Sequence, residues 1–220
     1  MCMDILCVSD VHGDFETLKR ITALAGDFDL VVVAGDLTNF YSSVAALHMI
    51  DELQAKAADI VIVPGNCDLN ETSELYKGLG ISLHGTGRVI GDVGFFGVGG
   101  SNRTPFNTPL EYEEEEITAM LEEGHEKVKD CGTKILVSHA PPVETVDKTS
   151  SGVNAGSRAV RDFLEETPVD LVICGHIHEA QGTGQIGKTT IINTGPAQEG
   201  YVKITIDDDT GKVTYEFMRY

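Results

Sequence analysis

Ile5-Leu6-Cys7-Val8-Ser9-Asp10-Val11-His12-Gly13 is the stretch whose reading decides the fold. Four consecutive apolar residues, too short for a helix and without polar alternation, describe a strand covered on both faces, as in the parallel sheet of an α/β protein. The run then stops in Ser, Asp, His and Gly, a polar loop. The same pattern recurs four times. Residues 30–33 lead into Ala34-Gly35-Asp36-Leu37-Thr38-Asn39, and residues 60–63 into Pro64-Gly65-Asn66-Cys67-Asp68. Residues 135–137 lead into Ser138-His139-Ala140-Pro141-Pro142, and residues 171–174 into Gly175-His176-Ile177-His178-Glu179.

Helical stretches are predicted between these runs, near residues 14–25, 43–57, 112–130 and 157–166. Thr108-Pro109-Leu110-Glu111 reads as a capping box opening the third of them, with the carboxylates of 113–116 in its first turn. Residues 80–99 read as consecutive strands at 81–83, 88–90 and 95–98. The last third reads as a meander over 182–186, 189–193, 201–207 and 212–217, with turns at Gly187-Lys188 and 208–211. No repeat or low-complexity linker divides the chain, so residues 1–220 are read as one α/β domain of two packed sheets with helices outside.

Composition narrows the function. Hydrophobic residues make up 41% and charged residues 23%, an ordinary globular balance. No apolar run reaches the roughly 20 residues of a membrane span, and the first residues lack the basic start of a signal peptide. Five cysteines at irregular spacing make no disulfide framework. The expectation is a cytoplasmic protein with reduced thiols. Sixteen Lys and Arg against 35 Asp and Glu give a net charge of −19, which repels nucleic-acid backbones and anionic membrane. A small anionic substrate remains compatible, because a bound cation reverses the local sign.

In open α/β sheets the carboxyl ends of parallel strands share an edge where ligands collect. The five polar loops therefore converge, bringing Asp10, His12, Asp36, Asn66, His139, His176 and His178 together. Hard oxygens mixed with imidazole nitrogens suit divalent first-row ions, Mn, Fe, Ni or Zn, better than Ca or Mg. Seven such donors are too many for one ion and suit two with a shared carboxylate. Each motif taken singly also reads as a turn or a hydrogen-bonded loop histidine. The specificity lies in their order. His48, His84 and His125 fall outside the set and read as ordinary surface or core residues.

The ordered set Asp-x-His, Gly-Asp, Gly-Asn-x-Asp, Ser-His and Gly-His-x-His resembles the signature of the calcineurin-like metallophosphoesterases, here across residues 10 to 178. The stretch from Gly156 to Arg161, leading to the Gly-His-x-His block, resembles that of the smaller phosphodiesterase-type members. The resemblance implies a four-layer αββα sandwich of two mixed β-sheets flanked by helices. It implies that Asp10, His12 and His178 hold one ion, that Asn66, His139 and His176 hold the other, and that Asp36 bridges them. Two cations about 4 Å apart can share a hydroxide near neutral pH, which would attack a phosphoester directly. The implied partner is a small phosphoester, most simply a soluble diester. The alternatives are a phosphomonoesterase or protein phosphatase, a nuclease, or a protein-binding scaffold of the same fold. Oligomeric state stays open, a homodimer included.

Many members carry His where this chain has Cys67, and the resemblance makes that residue, steadied by the acid at Asp68, the group that protonates the leaving oxygen or orients the phosphate. A thiol donates weakly, so general-acid help is expected to fall by about 10²–10⁴-fold, favouring diesters with good leaving groups. Cys67 also reads as a small filler beside Asn66. In the polar loop 99–109, Asn102 and Arg103 are the expected substrate contacts, Arg103 because guanidinium grips phosphate in pairs; a surface-loop reading of Arg103 stands beside it. Residues 142–157 read as a lid, with Gly156-Ser157 exposing N–H groups to an anion at a helix start.

Overall fold

The computed structural model describes residues 2–207 and 210–219. The chain begins with β1 (Cys2–Val8), α1 (Phe15–Leu24), β2 (Phe28–Ala34), α2 (Ser43–Gln54), β3 (Ala57–Val63) and α3 (Asn70–Gly78). It continues through β4 (Thr86–Ile90), β5 (Val93–Val98), the short β6 (Ser101–Asn102) and β7 (Glu111–Tyr112), α4 (Glu114–Glu126) and β8 (Thr133–Ser138). Then come α5 (Arg158–Glu166), β9 (Leu171–Cys174), β10 (Gly182–Ile186), β11 (Thr189–Asn193), β12 (Tyr201–Asp207) and β13 (Val213–Met218).

Among the described residues, the strands form a five-stranded sheet ordered β13-β12-β1-β2-β3 and a six-stranded sheet ordered β10-β11-β9-β8-β5-β4. Both are mixed: β1, β2 and β3 run parallel, as do β5, β8, β9 and β11, while β12, β13, β4 and β10 are antiparallel to their neighbours. Strand parity explains the continuous apolar runs. Ile5, Cys7, Leu30, Val32, Ile135, Val137, Leu171 and Ile173 point between the sheets. Leu6, Val8, Val31 and Val33 point instead to Leu18, Ile21, Met49 and Leu53 on α1 and α2. Leu136, Val172 and Cys174 meet Leu121, Val160 and Phe163 on α4 and α5. The four layers are helix, sheet, sheet, helix, as expected.

Several local expectations change. The C-terminal strands do not form one meander: β10 and β11 edge the six-stranded sheet, while β12 and β13 join the other. Of the turn expected at 208–211, Asp208 and Asp209 lie outside the described residues. Residues 81–83 make only a bridge, Ser82 to Ile62, on the way to β4. Helix α3 is an addition to the expected elements; its stretch is polar, with Thr72, Ser73 and Tyr76 buried. The capping box of α4 lies at Glu113 and Glu116, not at Thr108 and Glu111. Glu111 instead accepts from the N–H and hydroxyl groups of both Thr104 and Thr108, which ties the preceding loop into a knot before the helix.

Candidate metal centre

The loops after β1, β2, β3, β8 and β9 meet at one edge, laced together through the backbone. Asp10 N–H donates to Gly35 (3.1 Å), His12 N–H to Asp36 (2.9 Å), and Gly175 N–H to His139 (3.1 Å). Asp10, His12, Asp36 and His176 hold left-handed φ values of 52°, 52°, 49° and 66°. Such backbone costs a non-glycine residue about 1–3 kcal/mol, and it concentrates at functional sites. Two glycines make room for the carboxylates. A Cβ at Gly65 would collide with the Asp36 carboxylate, and one at Gly175 with Ser9 Oγ and Asp10 Oδ2.

In the first donor group, Asp10 Oδ2 accepts from the Ser9 hydroxyl (2.5 Å) and from the His176 N–H (2.9 Å). That leaves Asp10 Oδ1 buried with no hydrogen bond, while His178 Nε2 stands 3.2 Å and His12 Nε2 3.8 Å from it. The two imidazole Nε2 atoms face each other at 3.2 Å. Ligands held about 2.0–2.2 Å from a first-row ion stand about 3–3.5 Å apart, so the two 3.2 Å spacings match edges of a coordination polyhedron and the 3.8 Å spacing lies just beyond one.

The second group centres on His139. Its Nδ1 lies 2.8 Å from the Ala34 carbonyl, which can only accept, so Nδ1 carries the proton. Its Nε2 lies 2.9 Å from Asn66 Oδ1 and 3.5 Å from Asp36 Oδ2. The Asn66 amide is fixed by donating to Thr108 Oγ1 at 3.0 Å. The His176 ring lies beside the His139 ring, centroids 5.0 Å apart. Asp36 Oδ2 is 3.8 Å from His12 Nε2 and so faces both groups, while Asp36 Oδ1 accepts from the Cys67 N–H at 2.8 Å.

The electrostatics call for positive charge here. Burial would raise the Asp10 and Asp36 carboxyls, but His178 and His139 outweigh it at Asp10, and His139 at Asp36, so both sit below their ordinary range. Burial would likewise depress His139, yet Asp36 and Asp10 raise it to about 9. Burial and the His139 charge push His176 down to about 4. Buried aspartates that draw a proton onto a histidine, beside an orphaned carboxylate oxygen, are what a divalent cation would satisfy. The residues fit such ions.

The remaining predicted site residues divide. Cys67 Sγ gathers with His12 and Asp36 donor atoms, so the thiol borders the cluster. Burial and the charge of Asp36 push that thiol up, keeping it protonated. Asp68 is fully buried, and its oxygens accept from Thr38 N–H (2.9 Å), Thr38 Oγ1 (2.6 Å) and Gly65 N–H (2.9 Å), bracing the second loop against the third. Burial and Asp36 raise it to about 6. Asn102 and Arg103 line a cleft of about 670 Å³ that reaches His176. Arg103 is exposed and gives its Nε to Glu113 at 2.8 Å.

Residues 149–156 form the opposite wall of that cleft, but the helix start expected to bind an anion is already taken. Glu114 accepts from Ser157 Oγ (2.6 Å), Arg158 N–H (3.0 Å) and Ala159 N–H (2.9 Å). The sequence reading also missed Ser9 and Thr108, which orient Asp10 and Asn66. Ser9 adjoins its partner in sequence, whereas Thr108 is 42 residues from Asn66 and leaves no sequence signal.

A family model described as calcineurin-like phosphoesterase matches residues 3–180. The uncharacterized protein MJ1162 of Methanocaldococcus jannaschii is 34% identical over 200 residues, 88% of each chain. Among solved structures, TT1561 of Thermus thermophilus aligns over the whole of both chains with a TM-score of 0.74 at 21% identity. A dimetal phosphatase of Danio rerio aligns over 99% of this chain and 96% of its own with a TM-score of 0.64 at 12% identity. At these identities the two structures speak for the fold.

Proposed function

The chain belongs to the calcineurin-like phosphoesterase family, and on that premise we propose that it is a phosphodiesterase using two first-row divalent cations, manganese, iron, nickel or zinc, to hydrolyse small soluble phosphodiesters. The observation that carries the two-ion reading is the position of Asp36, whose Oδ2 lies 3.8 Å from His12 on one side and 3.5 Å from His139 on the other. Asp10, His12 and His178 would hold one cation, Asn66, His139 and His176 the second, with Asp36 between. When bound, the cations supply a water-derived nucleophile at neutral pH and offset charge on the phosphate oxygens.

The protein's own groups do the rest. Ser9 and the His176 N–H aim the free oxygen of Asp10 inward, Ala34 fixes the His139 tautomer, and Thr108 fixes the Asn66 amide. Asp68 acts as a positioning residue through Thr38 and Gly65. Cys67 is the group nearest to a proton donor for a departing oxygen, and its raised thiol gives the proton up poorly. Weak acid assistance suits diesters with good leaving groups, which supports the diester reading over the monoester. Asn102 and Arg103 contact the substrate from the cleft wall.

The acidic charge of −19 supports a small substrate rather than nucleic acid. The free cysteines, Cys2, Cys7, Cys67, Cys131 and Cys174, support a reducing cytoplasmic setting. Among the described residues, no helix is long and apolar enough to cross a membrane. The reading takes all 220 residues as one catalytic domain. It is tested by supplying the purified protein with Mn²⁺ and measuring turnover of bis(p-nitrophenyl) phosphate and p-nitrophenyl phosphate. Metal-dependent turnover preferring the diester is expected; preference for the monoester contradicts it.

A further inference from the structure

The cleft beside His176 has a chemistry that the metal ligands do not account for. It is lined by the loop 102–106, by residues of the loop 149–156, and by His176, Ile177 and Glu179. Phe106 is 80% exposed and Val153 59% exposed, two of the more exposed large apolar side chains in the protein, yet both line this one cleft. Exposed apolar groups gathered around a concavity mark binding surface, and a volume of about 670 Å³ falls within the roughly 300–1,000 Å³ of small-molecule sites.

Charge limits what the cleft accepts. Among the described lining residues, Arg103 is the one fixed cation, and Glu113 accepts its Nε–H at 2.8 Å. Glu179 lines the same space, held by the Ser150 N–H at 2.8 Å. A second phosphate or a carboxylate placed there would meet a guanidinium already paired with Glu113 and the negative charge of Glu179. An uncharged group with an apolar face would instead cover Phe106 and Val153, while Asn102, Asn154 and the hydroxyl of Ser151 offer polar edges.

We propose that this cleft is the specificity site of the enzyme, seating one ester group of the phosphodiester that is bulky, uncharged and ring-bearing, packed on Phe106 and Val153 while the phosphate lies at His176. The proposal rests on the phosphodiesterase reading for the identity of the bound phosphate, but the cleft's selectivity is measurable without turnover.

The test is calorimetric binding of phenylphosphonate and methylphosphonate, neither of which carries a cleavable ester, to the Mn²⁺-loaded protein. Phenylphosphonate is expected to bind at least about tenfold more tightly. In Phe106→Ala combined with Val153→Ser, that ratio is expected to fall to about one with methylphosphonate affinity retained; both positions are exposed, so folding is spared. Leu24→Ala, which removes an exposed apolar group on α1, should leave the ratio as it is. Equal binding of the two phosphonates by the native protein, or a ratio unchanged in the double variant, overturns the proposal. A native preference for phenylphosphonate in a protein that hydrolyses no diester leaves the cleft assignment standing and removes the phosphodiesterase reading instead. Replacing the phenyl group by a nucleoside in the same titration separates a nucleobase from other rings: tighter binding assigns a nucleoside ester, and weaker binding assigns a simple aryl group.

Discussion

His139 Nε2 and Asn66 Oδ1 stand 2.9 Å apart at the heart of the loop cluster, while His139 Nδ1 is committed to the Ala34 carbonyl at 2.8 Å. With Nδ1 fixed as a donor, a neutral His139 turns a lone pair toward the amide oxygen. Two lone pairs meeting at this distance need a proton or a cation between them. The negative charges of Asp36 and Asp10 hold a proton on the His139 ring when no cation is there.

Thr108 fixes one of those lone pairs by accepting from the Asn66 amide and donating to Glu111 at 2.7 Å. Thr108→Val removes this orientation without touching a ligand. Mn²⁺ affinity of one of two sites is expected to drop by about 10–100-fold, as for other groups that orient ligands, and Thr108→Ser should restore it. Isothermal titration calorimetry reads the outcome; native-like affinity in the valine variant rules out the role.

Gly65 tests the packing around Asp36. Its Cβ position is occupied by the Asp36 carboxylate and amide nitrogen, so Gly65→Ala must displace the residue placed between the two donor groups. Thermal unfolding should show a loss of about 1–3 kcal/mol, together with loss of most Mn²⁺ binding. A variant that binds two equivalents normally would mean that Asp36 is not shared.

The proposed role of Cys67 as a weak proton donor to the leaving oxygen is open to a direct test. Cys67→His introduces a better proton donor beside the cluster and should raise turnover of an alkyl monoester, glycerol 2-phosphate, relative to bis(p-nitrophenyl) phosphate, by about tenfold or more. Identical ratios of kcat/KM in the two proteins would assign Cys67 to packing alone.

His84 lies apart from the donor cluster and predicts an acid limb in stability. Its Nδ1 accepts from the Gly99 N–H at 2.9 Å and its Nε2 faces Tyr112 Oη at 3.3 Å, an arrangement that fits the neutral ring. Burial, with Lys77 assisting, pushes His84 down from 6.5 to about 4. Between those values the unfolded chain binds more protons, so the contribution is complete above pH 6.5 and is lost as pH falls through 4. Urea unfolding in EDTA should show His84→Asn losing about 3 kcal/mol less than the native protein from pH 7 to 4. Parallel pH profiles would contradict this.

The layers of the fold were legible because strands buried on both faces announce themselves as unbroken apolar runs, and the five polar loops because each run ends in ligand-type residues. Residues 81–83 misled because a short apolar run reads the same whether it makes one bridge or a ladder. Helix α3 was hidden by its polar composition, and the α4 start was misplaced because Thr108 and Glu111 satisfy the same pattern while serving a loop. At the site, the donors were readable but not the groups that aim them. Thr108 and Ala34 reach Asn66 and His139 through space, and Glu114 occupies the α5 start from another helix. On the cleft walls, the sequence offered Asn102 and Arg103 as substrate contacts and residues 142–157 as a lid, but that Phe106 and Val153 line one cleft is visible only in the folded chain.

The most direct measurement is crystallographic anomalous scattering from protein soaked in Mn²⁺, with metal content measured on the same preparation. The expected result is two peaks, one among Asp10, His12 and His178 and one among Asn66, His139 and His176, with Asp36 touching both. A single peak, or none at these side chains, contradicts the two-cation centre on which the proposed chemistry depends.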